Sequence, residues 1–266
     1  HSTQAIVEGL DQEMPSSLYF GSRLRDAVRS GAVDEATIDA ASLNVLRAMQ
    51  TIGALDRAPR GDLMKDVSTP SHRDIARRVA AHAIVLLKND DILPLRTCAG
   101  LVVLGDLQNY TVGGGSGRVV GRTVSLADAF KTRCGFVEAY ADLESKAAQD
   151  AVATATAVLV VTGSQSTEGA DRSTLALDGE ALIEEASTLN PSIVVACAAP
   201  GAFLTGWRDH VQAIVATWPG GQELANALVD VLFGDVNPSG RLPLTLPMTE
   251  TDLKFTQRMY PGLPDP

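Results

Sequence analysis

Glu168 stands in Ser166-Thr167-Glu168-Gly169-Ala170-Asp171-Arg172, just after the apolar run Ala157-Val158-Leu159-Val160-Val161 and Gly163. A carboxyl group followed by a glycine and then an Asp-Arg pair is a candidate proton donor held by its neighbours. The apolar run predicts a buried parallel strand, and open α/β sheets carry functional loops at the carboxyl ends of such strands. Taken alone, a glutamate in a polar loop is an ordinary solvated charge, so the rest of the chain must decide its role. Hydrolysis by two carboxylates needs a second acid, and the residues offer no convincing one.

The second constellation is Gly113-Gly114-Gly115-Ser116-Gly117-Arg118. Backbone amides without side chains can cradle an anion, which suggests phosphate binding. The details do not fit. A phosphate loop ends in Gly-Lys-Ser/Thr, and this one ends in Gly-Arg-Val. The dinucleotide fingerprint starts in the first turn after its strand, but the eight residues Gly105 to Val112 intervene here. Two readings stay open: a flexible surface loop, or a loop that lets the backbone approach a ligand or another domain. The four histidines (His1, His72, His82, His210) lie in no catalytic motif, and no Gly-x-Ser-x-Gly elbow is present. The three cysteines have no zinc-ligand spacing. Cys197 reads as a small core residue. A Cys98–Cys134 disulfide is allowed but not required, and the redox compartment stays open. No cofactor or metal is implied.

The elements that must position these groups follow from periodicity. Ile6 to Pro15 reads as a short strand and its exit turn. Residues 18–55 read as helical, with apolar spacing at Leu24, Val28, Ile38, Leu43, Leu46 and Met49; Gly31 ends one helix and Asp34 caps the next. Residues 57–70 read as a linker. Ser71 is a candidate N-cap for a helix that runs into Ile84-Val85-Leu86-Leu87. Buried strands are expected at 101–104, 157–161, 193–196 and 213–216, with helices at 178–189 and 222–232 and a C′ glycine at Gly234. Alternating strands and helices predict a layered α/β sandwich with a largely parallel sheet. The formal net charge of -10 over 266 residues argues against nucleic acid and anionic membranes as partners. No apolar stretch has the length of a membrane span, and no signal peptide is visible. The chain begins at His1, and both ends look cut.

Together these segments resemble family 3 glycoside hydrolases, the β-glucosidase-like group. The resemblance rests on Gly9-Leu10-Asp11-Gln12-Glu13-Met14-Pro15, Ile84 to Asp90 with Leu93-Pro94-Leu95, Gly113 to Arg118, Glu168 to Arg172, and Trp218 to Pro247, in that order. It implies a two-domain core, a (β/α)8 barrel followed by an α/β sandwich, with the active site between them. Residues 1–57 would be the last β/α unit of the barrel, 58–70 a linker, 71–247 the sandwich, and 248–266 a linker toward a further domain. Glu168 matches the acid/base supplied by the second domain. The nucleophile, an aspartate in a Ser-Asp-Trp-like segment, would lie before His1. Asp171 and Arg172 would orient the Glu168 loop. Gly114, Ser116 and Arg118 would line the domain cleft or the aglycone side. Asp11 and Glu13 read as structural or cleft-rim groups. The implied activity is retaining, exo-acting hydrolysis of β-linked glycosides, with the missing barrel as partner. The rival reading is a noncatalytic carbohydrate-binding or scaffold domain.

Overall fold

Four runs with hardly a polar side chain become the central strands of one sheet. In the computed structural model, which describes residues 2–57, 61–62, 64–106, 122–167 and 172–254, the strands are β1 (Val85–Asn89), β2 (Leu101–Leu104), β3 (Glu138–Tyr140), β4 (Ala157–Gly163), β5 (Ile193–Ala198) and β6 (Ala213–Ala216). Their order across the sheet is β1-β6-β5-β4-β2-β3. All neighbouring pairs are parallel except β1–β6. The strands β2, β4, β5 and β6 are covered on both faces, which is why their sequences are apolar without alternation. Leu101, Val103, Leu159, Val194 and Val215 face one core, and Val102, Leu104, Val160, Val195 and Ile214 face the other.

The first of these cores is filled by α4 (Pro70–Ala83), α5 (Leu126–Cys134) and α8 (Leu224–Leu232); the second by α6 (Lys146–Thr154) and α7 (Glu180–Leu189). Nearly every residue of α8 is buried, so it is the central helix of its layer. Its one buried acid, Asp230, is met by Arg77 of α4, whose Nε and Nη2 donate to the carboxylate at 2.6 and 2.5 Å. The Asp230 side chain is only 12% exposed, and removing its partner would leave a buried charge without compensation. Arg77→Ala is therefore expected to cost about 1–3 kcal/mol, discounted because Arg77 itself is half exposed. Urea unfolding measures this; a loss below about 0.5 kcal/mol would mean that the pair behaves as a solvated one.

Helix starts follow the side chains able to accept a hydrogen bond from the first turn. Ser125 accepts from Asp128 N at 3.0 Å, and Ser145 from Ala148 N at 3.1 Å. The cap of α4 is Thr69 rather than the expected Ser71: its Oγ accepts from His72 N at 3.2 Å, and Pro70 takes the first helical position, where no N–H is needed. That helix stops at Ala83. The run Ile84 to Leu87, into which the helix was expected to pass, instead leads into an edge strand, Val85 to Asn89, with a bulge between Leu86 and Lys88.

The chain divides into two compact units, 1–67 and 68–266. The first consists of α1 (Ser2–Val7), α2 (Gly21–Arg29) and α3 (Glu35–Thr51). Asp34 caps α3 as expected, accepting from Ala36 N at 3.1 Å. The strand expected from Ile6 is not formed. Residues 2–7 are helical, with Glu8 N donating to Gln4 O at 2.9 Å, and Ile6 packs with Leu24, Val33 and Ala41. Among the described residues this unit has no strand to pair with, so intrahelical hydrogen bonds satisfy the backbone instead. Leu43, Leu46 and Met49, whose spacing marked the helix, lie on α3 and are 45, 48 and 38% exposed.

Candidate active site

The parallel strands run in the order β3-β2-β4-β5-β6, so chain direction across the sheet reverses between β2 and β4. In open α/β sheets a crevice forms at the carboxyl ends of the two strands flanking such a reversal. A cavity of about 580 Å³ lies there. Its floor is Gly105 after β2, Val161 to Ser164 at the end of β4, and Ala198 at the end of β5; its wall includes Gly179, Ala181 and Leu182 at the start of α7. The strand ends approach closely. A Cβ on Gly105 would lie 2.2 Å from the Val161 carbonyl oxygen, and one on Gly163 would lie 2.3 Å from that of Ala198. Gly105 also has φ +107°, a conformation closed to side-chain-bearing residues.

Both segments singled out in the sequence leave the sheet at this point. The chain passes from β2 through Gly105 and Asp106 into 107–121, which contains Gly114, Ser116 and Arg118. It passes from β4 through Ser164 to Thr167 into 168–171, which contains Glu168 and Asp171. These five candidates lie outside the described residues. The topology brings the roots of their segments together on adjacent, hydrogen-bonded strands, Leu101 to Leu104 pairing with Ala157 to Val160.

Arg172 is described, and it joins the two feet of the Glu168 segment. Its Nη1 donates to Ser164 Oγ at 3.0 Å and its Nη2 to the Ala202 carbonyl at 2.9 Å. Ser164 is 8% exposed, so one of these bonds is made in a largely dry setting. The return path is fixed by Asp178 N to the Gly163 carbonyl at 2.9 Å, Gly179 N to Thr162 Oγ at 3.0 Å, and Leu175 N to a Glu250 oxygen at 2.7 Å. Among the described residues, Arg172 is held by a hydroxyl and a carbonyl.

The cavity lining carries Asp106, Asp142, Glu144, Asp178 and Glu185, and among the described lining residues none is Lys or Arg. Sequence reading missed this acidic lining because its members come from distant loops and from α7, and only the strand order unites them. Trp218, at the carboxyl end of β6, has φ +56°, a costly backbone for a residue with a side chain. It is held by Thr217, whose N and Oγ donate to the Cys197 carbonyl at 2.8 and 3.1 Å. Asp11 accepts from Asn44 Nδ2 at 3.1 Å, and a Glu13 oxygen accepts from Phe20 N at 2.7 Å, so both acids fasten their own unit. Cys197 is fully buried, and burial pushes its thiol above its ordinary range, as for an inert core cysteine. His82 Nδ1 lies 2.9 Å from Ser239 Oγ on the surface. Among the described residues no group of three or more His, Cys, Asp and Glu could hold a metal ion, and no helix is long and apolar enough to cross a membrane.

A doubly covered α/β domain with a cavity at its switch point is the class that fold and cavity define. Comparison with known proteins narrows it. The glycosyl hydrolase family 3 C-terminal domain matches residues 84–264. The chain is 31% identical over 311 aligned positions to the probable β-glucosidase L of Aspergillus terreus, covering 96% of this chain and 42% of that protein. It is 30% identical to β-xylosidase/α-L-arabinofuranosidase 1 of Medicago sativa, covering 98% of this chain and 38% of the relative. The crystal structure of β-D-glucoside glucohydrolase from Trichoderma reesei superposes with a TM-score of 0.82 at 27% identity, over 96% of this chain and 42% of that one. The chain belongs to glycosyl hydrolase family 3. It spans about two fifths of the length of these relatives.

Proposed function

We propose that this chain is the acid/base-bearing part of a retaining, exo-acting β-glycosidase of the β-glucosidase type. The observation that carries the reading is the rooting of the Glu168 segment at the carboxyl end of β4, beside the switch-point cavity, with its feet joined by Arg172. Residues 1–57 are assigned to the end of a barrel domain, 58–70 to a linker, 71–247 to the sandwich and 248–266 to a linker beyond it. The names of the relatives favour a terminal β-linked sugar, glucose or xylose, as substrate.

In this mechanism a carboxylate from the barrel attacks the anomeric carbon while Glu168, protonated, donates to the leaving oxygen. Retaining enzymes hold the two groups about 5–5.5 Å apart. Glu168, now ionised, then takes a proton from the water that releases the sugar. With the two carboxylates on different domains, the loop foot becomes part of the catalytic geometry, because a displacement of about 1 Å can cost a hundredfold. Arg172 serves as a positioning residue. Arg172→Ala in the full-length protein is expected to lower kcat roughly tenfold with KM little changed. Steady-state kinetics on an aryl β-glycoside tests this, and unaltered kcat removes the role. The isolated chain, without the nucleophile, is expected to turn over no glycoside above background. The test of the whole reading is Glu168→Gln in the full-length protein.

A further inference from the structure

Cys98 and Cys134 are joined by a disulfide, with Cα atoms 5.8 Å apart and a sequence separation of 36, while Cys197 is a buried free thiol. Cys98 lies in the turn that leads into β2, where its carbonyl accepts from Leu101 N at 3.2 Å. Cys134 is the last residue of α5. The bridge therefore closes a covalent ring around one complete βα unit: β2, the 107–121 connection and α5. The same helix end has two further fastenings. Arg133 pairs with Asp235 at 2.5 Å and lies over the Phe233 ring, 4.8 Å from its centroid. At the opposite end of α5, Ser125 caps the helix and Val124 N donates to the Gln222 carbonyl at 3.0 Å.

We infer that the Cys98–Cys134 bridge is formed in the working protein, that the chain matures in an oxidising compartment, and that the bridge fastens the β2–α5 unit from which the glycine-rich segment hangs. Disulfides persist where the surroundings oxidise thiols and are scarce where glutathione keeps them reduced. Closing the bond removes two protons and two electrons from the two thiols. A disulfide oxidant, such as oxidised glutathione or a thiol–disulfide oxidoreductase, accepts them and becomes two thiols. The bridge constrains the opened chain, so its loss falls first on the unit it encloses. That unit contributes Leu101, Val103, Leu126, Ala129 and Phe130 to the core, whereas β5 and β6 lie outside the ring. Both bridged cysteines are partly exposed and within reach of an added dithiol; Cys197 is fully buried and is not. The inference stands apart from the glycosidase reading and needs no substrate.

The test is made on the full-length protein isolated without reductant. It is unfolded in N-ethylmaleimide and its peptides are mapped, before and after dithiothreitol. The expected result is a label on Cys197 and a linked Cys98–Cys134 peptide before reduction, and labels on all three afterwards. Labels on all three before reduction overturn the inference. Amide exchange of the folded protein then reads the fastening. On reduction, Leu126 to Cys134 and Leu101 to Leu104 should exchange at least about tenfold faster, with Ile193 to Ala198 changing less than about threefold. Equal acceleration everywhere, or none, overturns the fastening role. A Cys98→Ala/Cys134→Ala variant gives the same comparison without reductant, and should it fail to fold, the reduced wild type supplies the exchange data.

Discussion

Glu168→Gln in the full-length protein is expected to lower kcat by about 10²–10⁴-fold on glycosides with poor leaving groups. The loss should shrink for leaving groups of low pKa, such as dinitrophenolate, because these depart without a proton. Deglycosylation then becomes the slow step, since water has lost its base. Azide needs no base and should restore turnover, releasing a glycosyl azide of retained configuration. This combination separates the acid/base role from a structural one: a variant that merely misplaces the loop loses activity on every leaving group and is not rescued by an anion. A variant with full activity would leave the noncatalytic binding or scaffold reading as the better account of this domain.

The second large effect concerns stability. Gly105→Val in the 266-residue chain is expected to destabilise it by roughly 3–5 kcal/mol, at the upper end of what single substitutions do. Two causes act at once. The backbone at φ +107° excludes a β-branched residue. The new Cβ would also meet the Val161 carbonyl oxygen at 2.2 Å and the Val161 Cγ2 at 3.0 Å. That carbonyl belongs to β4, so relief of the clash would have to part β2 from β4 at the root of both candidate loops. Gly135 supplies the control: it also has positive φ, +74°, but nothing lies within 4 Å of its Cβ position, so Gly135→Ala should cost only about 1–2 kcal/mol. Urea unfolding of the two variants measures the difference. Equal costs would mean that backbone conformation, not the close approach, dominates at Gly105.

The sequence made the central sheet legible because β2, β4, β5 and β6 are covered on both faces and so carry unbroken apolar runs. It hid the two edge strands. β3 is only Glu138-Ala139-Tyr140, too short and polar to signal a strand, and β1 is separated from the end of α4 by the single residue Ile84, within the same apolar run. Ala5-Ile6-Val7 misled in the opposite direction, since a short apolar run is compatible with either helix or strand until the presence or absence of a pairing strand decides. For the candidate site, the sequence placed Arg172 beside Glu168 but did not show its partners. Ser164 and Ala202 lie 8 and 30 residues away and are brought to it by the ends of β4 and β5. The acidic lining could not be read at all, because strand order is not written in any local pattern.

The relation between β2 and β4 bears on how such a domain diverges. The register of β2 and β4 is set by hydrogen bonds between the strands themselves and by the helices packed on both faces of the sheet. Residues can then be gained or lost in either connection without moving a strand. The Aspergillus terreus relative, aligned over more positions than this chain has residues, carries additional residues within the shared region. Lineages can thus drift in loop length, and with it in the groups presented to a ligand, while inheriting the same sheet. Differences between descendants in what the switch point presents are then to be sought first in the connections that follow Asp106 and Thr167.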